Sequence, residues 1–282
     1  MTDDQTLEQQ PSMAEQSNEI TYVVGVMSGK GGVGKSIVTG LFASALRNAG
    51  YEVGILDADV TGPSIPKMFG IDSRPDVCDF GIFPVETATG IKLISINLLL
   101  SSPDDAVIWR GPLISNAVTQ FWHDVFWGKL DYLLVDLPPG TADVPLTVMQ
   151  SLPLDSVIIV TSPQDLAAMI VRKAVNMCRQ MNVPILGLVQ NMAWFKCPKC
   201  GEITYPFGHT NGELLAQEMK VPHLLDLPID PEISSRCDSG AIEGYAANQF
   251  TEKLEIIANG LMALKHARNS EVCDAGDTAD RQ

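Results

Sequence analysis

Residues 28–36, Ser-Gly-Lys-Gly-Gly-Val-Gly-Lys-Ser, narrow the possible folds of this chain more than any other feature. The G-x-x-x-x-G-K-S spacing follows an apolar, β-branched run (Tyr22–Met27) and opens a segment with helical apolar spacing (Ser36–Asn48). Strand, glycine-rich loop and helix in that order form a phosphate-binding loop. Glycines at Gly29, Gly31, Gly32 and Gly34, with Val33 among them, let backbone N–H groups curl around phosphate oxygens without Cβ clashes. The helix N-terminus adds partial positive charge. Lys35 is placed to reach the β- and γ-phosphates of a nucleotide such as ATP, and the Ser36 hydroxyl to ligate Mg²⁺. Lys30 is a second lysine that an ordinary loop of this kind does not need. Two lysines suggest two tasks: Lys35 for the bound nucleotide, Lys30 for charge developing during hydrolysis.

The rest of the chain alternates short β-branched runs with helical periods. Strands are expected at Tyr22–Met27, Val53–Leu56, Tyr132–Val135, Ser156–Val160, Ile185–Val189 and Leu224–Leu227, with a hairpin over Pro84–Glu86 and Ile91–Ile96. Helices are expected at Ser36–Asn48, Gly111–Trp127, Asp165–Met181 and Glu243–His266. This predicts an α/β fold: a single P-loop NTPase domain over residues 20–267, its mostly parallel sheet covered by helices on both faces. Ligands on such sheets bind at the carboxyl ends of the strands. The unpatterned, acidic residues 1–19 and 268–282 read as disordered tails.

Two further segments supply carboxylates. Asp57 and Asp59 end the second strand two residues apart, so an extended backbone points both to one side. Asp59 is the better candidate for positioning or activating water, with Asp57 as support near the metal. The run Leu133-Leu134-Val135-Asp136 delivers Asp136 to the Mg²⁺ shell. Gly140 is placed to turn its N–H to the γ-phosphate, and Thr141, Ala142 and Asp143 continue a mobile switch.

Together the segments GKGGVGKS (29–36), LDADVTGPSIPKMFG (56–70), WRGP (109–112), LDYLLVDLPPGTADVPLT (130–147), TSPQDLA (161–167), NMAWFKCPKCG (191–201) and LPIDPEI (227–233) resemble the Mrp/ApbC group of P-loop ATPases, which act as iron–sulfur cluster carriers. The two-lysine loop resembles the deviant form shared by MinD, ParA, ArsA and the nitrogenase iron protein. The resemblance implies a homodimer in which Lys30 crosses to the partner's nucleotide. It also implies that Asn191 contacts the adenine and that the loop from Pro228 to Asp230 closes over base and ribose. Its partners would be an assembly scaffold that donates the cluster and apo-proteins that accept it. One departure is Ile37, where relatives often carry Thr; Ser36 is kept.

Cys197-Pro198-Lys199-Cys200-Gly201 is a C-x-x-C turn, the spacing that suits Zn²⁺ or an iron–sulfur cluster. No second such pair exists in the sequence, so one chain supplies half of a tetrahedral thiolate set. A two-fold dimer would supply the rest, giving a bridging [4Fe–4S] cluster as the resemblance implies; structural zinc on the same four thiols is the competing reading. Cys78, Cys178 and Cys273 read as core or tail thiols, and Cys237 has no partner nearby in sequence. Trp109, Phe121, Trp122 and Trp127 read as core or dimer surface, and His123 and His209 as structural, with a place near the cysteine turn as the alternative for His209.

Net charge of −15 argues against a chain that coats nucleic acid. No apolar run approaches the ~20 residues that span a bilayer. The polar N-terminus resembles neither a signal nor a transit peptide, so the cytoplasm is the expected location. These features also weigh against the alternative of a MinD- or ParA-type spatial regulator working on membranes or DNA. A zinc-stabilised nucleotide switch that moves no cluster stays open.

Overall fold

The computed structural model describes residues 12–59, 64–99, 111–164, 167–209, 212–246 and 248–279. Its elements in chain order are α1 (Met13–Ser17), β1 (Glu19–Ser28), α2 (Lys35–Asn48), β2 (Val53–Asp57), α3 (Ile65–Met68), β3 (Asp76–Cys78), β4 (Gly81–Phe83), β5 (Val85–Glu86), β6 (Lys92–Ser95), α4 (Gly111–Asp124), β7 (Lys129–Asp136), α5 (Asp143–Ser151), β8 (Ser156–Thr161), α6 (Ala167–Gln180), β9 (Ile185–Gln190), β10 (Phe195–Lys196), β11 (Ile203–Thr204), α7 (Gly212–Met219), β12 (His223–Asp226), α8 (Pro231–Asp238), α9 (Asn248–Thr251) and α10 (Leu254–Ala279).

Eight strands form one sheet in the order β12-β9-β8-β1-β7-β2-β6-β5. Every pair is parallel except β5–β6 at one edge. The central strands are buried along their whole working length: all of β2 and β8, and the last six residues of β1. That is why their sequences read as continuous apolar runs rather than alternating ones. One face packs Phe42 of α2 against Phe250, Leu254, Ile257 and Leu261. The other packs Ile114, Val118 and Phe121 of α4 with Val148 of α5 and Val171 and Val175 of α6. The chain leaves β1 toward β2 on one side and later returns past it to β8 on the other. The carboxyl end of β1 is thus a switch point, where such sheets open a crevice.

The tails differ from expectation. Residues 12–19 are ordered, not disordered: Ser12 caps α1 by accepting from Glu15 N (3.1 Å), and Glu15 Oε2 lies 2.8 Å from His123 Nδ1. The Asn18 amide donates to Val125 O (2.9 Å) and its oxygen accepts from Gly128 N (2.8 Å). These polar side chains satisfy backbone groups more than 100 residues away, a role that local composition does not reveal. Residues 1–11 lie outside the described residues. At the other end α10 runs through residue 279, past the expected boundary at 267, since no proline stops it. The helix expected over Glu243–His266 is divided into a 3₁₀ turn (Ile242–Gly244), α9 and α10. Trp127 and Phe121 are core residues, Trp122 packs beside them, and Trp109 lies outside the described residues. Among the described residues, no helix is long and apolar enough to cross a membrane.

Candidate functional site

Where β1 ends, the glycine-rich loop turns into α2. Gly32 (φ +79°) and Gly34 (φ +81°) adopt left-handed backbone that a side chain disfavours. Gly34 is also crowded: a Cβ there would lie 2.2 Å from Asn191 Nδ2. Gly34→Ala should therefore unseat the loop and weaken nucleotide binding by at least about ten-fold, as a loss of two such restraints predicts; equilibrium binding of a fluorescent nucleotide at wild-type affinity would contradict this. The loop lines a hollow of about 320 Å³ with Ser28, Lys35, Ser36, Asp59, Met68 and Pro139. A larger hollow of about 610 Å³ flanks β12, but no phosphate loop lines it.

Lys35 is the hub of the site. Its Nζ is 2.7 Å from Asp136 Oδ2 and 3.3 Å from Asp59 Oδ2, and it is only 5% exposed. Burial by itself pulls the ammonium pKa down, but Asp136 and Asp59, with Asp57 beyond, outweigh it, so the net shift is upward. Asp136 is fully engaged: Oδ2 also accepts from Ser36 Oγ (2.6 Å) and Oδ1 from Thr39 Oγ1 (2.7 Å). Thr39 was not among the expected site residues. Its signal was available, since it lies one helical turn beyond Lys35 and so on the same face.

Asp57 sits behind this centre. Strand register sets it directly beside Asp136, and its oxygens accept from Ser95 Oγ (2.8 Å) and Asp59 N (3.1 Å). Burial first, then the Asp136 charge, push its carboxyl up to about 8. With both oxygens engaged, Asp57 backs the Lys35–Asp136 pair. The unfolded chain loses this proton near pH 4 while the folded chain keeps it to about pH 8. Folding stability therefore falls as pH rises through that window. Asp57→Asn should remove the decline, gaining on wild type by at most about 1.4 kcal/mol per pH unit; urea unfolding at pH 5 and pH 8 reads it, and a constant difference would refute it.

The other expected residues are placed as follows. Lys30 Nζ donates to the Gln164 side-chain oxygen across the mouth of the loop. Asn191, 5% exposed, donates from Nδ2 to Val33 O in the phosphate loop (2.9 Å). Asp230 caps α8 through Glu232 N (2.8 Å) and accepts from Tyr245 Oη (2.8 Å), so its carboxylate is already committed. Pro228 stands in the segment between β12 and α8. Gly140, expected to offer its N–H to phosphate, donates it to Ser28 O (2.9 Å), because the exit of β7 keeps to the register of β1. Asp143 opens helix α5 rather than continuing a loop.

Cys197 and Cys200 occupy the tip of the β10–β11 hairpin. Cys197 N donates to Glu202 O and Gly201 N to Cys197 O, both 2.9 Å, with Gly201 left-handed (φ +75°). Cys197 is half-buried and Cys200 exposed. Backbone N–H groups of Cys200 and then Lys199 hold the Cys197 thiol below its ordinary range, which favours the thiolate that metals and electrophiles need. Burial pushes Cys178 up to about 12 and raises Cys237. Cys78 is exposed on β3 rather than in the core, and the Cys273 side chain lies outside the described residues. His209 packs at a tilt against Tyr205 (4.0 Å between ring centroids, 38° between planes) within the segment that follows the hairpin. Among the described residues, no three His, Cys, Asp or Glu side chains form a metal-holding group. Two thiols by themselves do not complete a tetrahedral metal site. At pH 7, alkylation resolved by peptide mass spectrometry should modify Cys197 faster than Cys237; the reverse order would refute the lowered thiol.

Residues 19–262 match the sequence profile of the ParA family described as NUBPL iron-transfer P-loop NTPase. The chain belongs to this family. An iron–sulfur cluster carrier protein of Clostridium perfringens is 46% identical over 236 residues, 81% of this chain and 83% of that one. A cytosolic Fe-S cluster assembly factor, a Nubp2 homolog of Anopheles gambiae, is 46% identical over 79% of this chain and 88% of that one. Among solved structures, a nucleotide-binding protein of Archaeoglobus fulgidus in complex with ADP superposes with TM-score 0.74 at 45% identity, covering 82% of this chain and 91% of that one. MinD of Pyrococcus horikoshii, solved with Mg-ADP, gives 0.60 at 21% identity over 84% and 97%, a likeness of fold alone. In this NUBPL-type NTPase the segment that leaves β9 carries first Asn191, bonded to the phosphate loop, and then the cysteine hairpin. Five residues, 192–196, separate Asn191, which touches the loop, from Cys197, the first thiol.

Proposed function

We propose that this NTPase binds and hydrolyses Mg·ATP, holds a labile [4Fe–4S] cluster between two copies of the chain, and passes it to apo-proteins. The observation that carries the reading is the exposed Cys197–Cys200 turn: its thiols are half a ligand set, and Cys197 is tuned toward thiolate. Two-fold symmetry completes four thiolates with no new residue type. A cluster held between chains is released by ligand exchange, as thiolates of an acceptor replace those of the carrier. The relatives named as carriers and as an assembly factor support the same reading.

At the nucleotide, Gly29, Gly31, Gly32, Val33 and Gly34 cradle the phosphates, and Lys35 neutralises them. Ser36 Oγ and Asp136 Oδ2, 2.6 Å apart, are the hard oxygen donors that fit Mg²⁺. The ion would offset phosphate charge when bound. Asp59 positions water, and Lys30 serves the charge that develops in hydrolysis. Asn191 and the Pro228–Asp230 segment border the base. Its partners are a second copy, a donor scaffold and apo-protein acceptors, not nucleic acid or membrane. The cytosol is its place of work.

The test is anaerobic purification with iron, sulfide and zinc quantified beside a visible spectrum and the sedimented mass. About four iron and four sulfide per dimer support the proposal. One zinc and no sulfide after reconstitution would make the protein a zinc-stabilised nucleotide switch.

A further inference from the structure

We infer that residues 191–197 act as a strut that transmits the state of the phosphate loop to the cysteine turn, with Asn191 as its positioning residue and Met192 as its joint. The inference deepens the proposed function and rests on the nucleotide half of that reading.

At the loop end, Asn191 Nδ2 donates to Val33 O (2.9 Å) and packs against Gly34 so closely that no Cβ fits between them. Asn191 N donates to Thr161 O (2.8 Å), anchoring the same residue to β8. A shift of the Val33–Gly34 backbone on phosphate binding must either move Asn191 or break its bond, because packed interiors switch between arrangements rather than deform smoothly.

Beyond Asn191 the chain is zipped to the segment after β12. Leu227 N donates to Gln190 O (2.8 Å), Ala193 N to Leu227 O (2.8 Å) and Ile229 N to Trp194 O (2.7 Å), and Phe195 bridges Ile229. The next residues form the hairpin, Phe195 opposite Thr204 and Lys196 opposite Ile203, and Cys197 follows. The 227–229 partner is the segment proposed to border the base. Both ends of the nucleotide therefore press on one short strut.

Met192 breaks this ladder with φ +59°. The other non-glycine residues with positive φ among those described, Asn182 and Lys220, stand just past the ends of α6 and α7. There a left-handed residue is a common helix terminator. Met192 has no such role. Strain held between two sites is expected of a joint.

The test needs no cluster. The full-length apo protein is alkylated with iodoacetamide, with and without Mg·AMPPNP, at nucleotide concentrations that saturate each variant. Rates at Cys197 and Cys200 are resolved by peptide mass spectrometry, with exposed Cys78 as internal control. In the wild type, nucleotide should change the Cys197 and Cys200 rates at least about five-fold, the lower end of allosteric coupling. Asn191→Ser, which removes the bond to Val33, and Met192→Gly, which relaxes the joint without strain, should each bring that ratio to within about two-fold of one. A merely structural role would raise the rates with and without nucleotide alike and leave the ratio unchanged. A wild-type ratio near one, or an unchanged ratio in Met192→Gly, overturns the inference. Should Asn191→Ser fail to fold or to bind nucleotide, Met192→Gly decides alone. A preparation that never loads iron yet shows the five-fold ratio would sink the carrier reading and keep the strut. One that loads iron with a ratio near one would do the opposite.

Discussion

Lys35→Ala should lower nucleotide hydrolysis by about 100-fold or more, the usual cost of removing one donor aimed at developing charge. It should also destabilise the fold in a pH-dependent way. Lys35 is the cation among three converging carboxylates, of which Asp57 and Asp136 are almost completely buried. Taking one partner from a buried pair costs about 3–5 kcal/mol, because the remaining charge is left without compensation. The ammonium opposes the upward shift of Asp57, so without it that carboxyl keeps its proton to still higher pH in the folded state, while in the unfolded chain it ionises near pH 4. The penalty therefore grows as pH rises. Urea unfolding at pH 5.5 and pH 8 should show a larger loss at pH 8, with iron loading at Cys197 and Cys200 retained. Wild-type turnover, or a stability cost independent of pH, would remove Lys35 from the centre of the site.

The double replacement of Cys197 and Cys200 by serine should have the complementary effect. All bound iron and sulfide should be lost, since a serine hydroxyl is a poor replacement for a thiolate on iron. Nucleotide affinity should stay within about two-fold, and stability within about 0.5 kcal/mol, as is usual for surface positions outside the core. The reason is geometric: the thiols stand at the tip of a hairpin of two-residue strands, outside both hydrophobic clusters. Iron retained by the double variant would move the cluster site elsewhere.

Local signals carried most of what was legible in advance. The phosphate loop is a run of consecutive residues whose backbone conformation depends on its own glycines, so Gly32 and Gly34 take the left-handed geometry that the motif anticipates. The buried strands announced themselves by composition, and the alternation with helices implied the parallel sheet. The C-x-x-C turn is likewise local, and its hairpin follows from four residues and a glycine. Errors arose where long-range partners decide. Residues 12–19 read as a tail because nothing nearby explains them, yet Ser12, Glu15 and Asn18 bond to the end of α4 and the turn after it. For Gly140 the spacing gave no sign that its N–H meets Ser28 O, in a strand more than 100 residues earlier.

The sequence by itself determined the class of chemistry: a phosphate-binding loop with two lysines, carboxylates at strand ends, and one pair of thiols. It could do so because these groups are encoded by short spacings on known backbone geometries. Only the tertiary structure decided how they are wired. Strand register set Asp57 against Asp136 and raised its affinity for a proton. The packing of α2 brought Thr39 to the second oxygen of Asp136. The end of β9 put Asn191 on the phosphate loop six residues from Cys197. Each of these depends on which distant strands lie side by side, and that is settled by burying two hydrophobic faces at once, which no local spacing records.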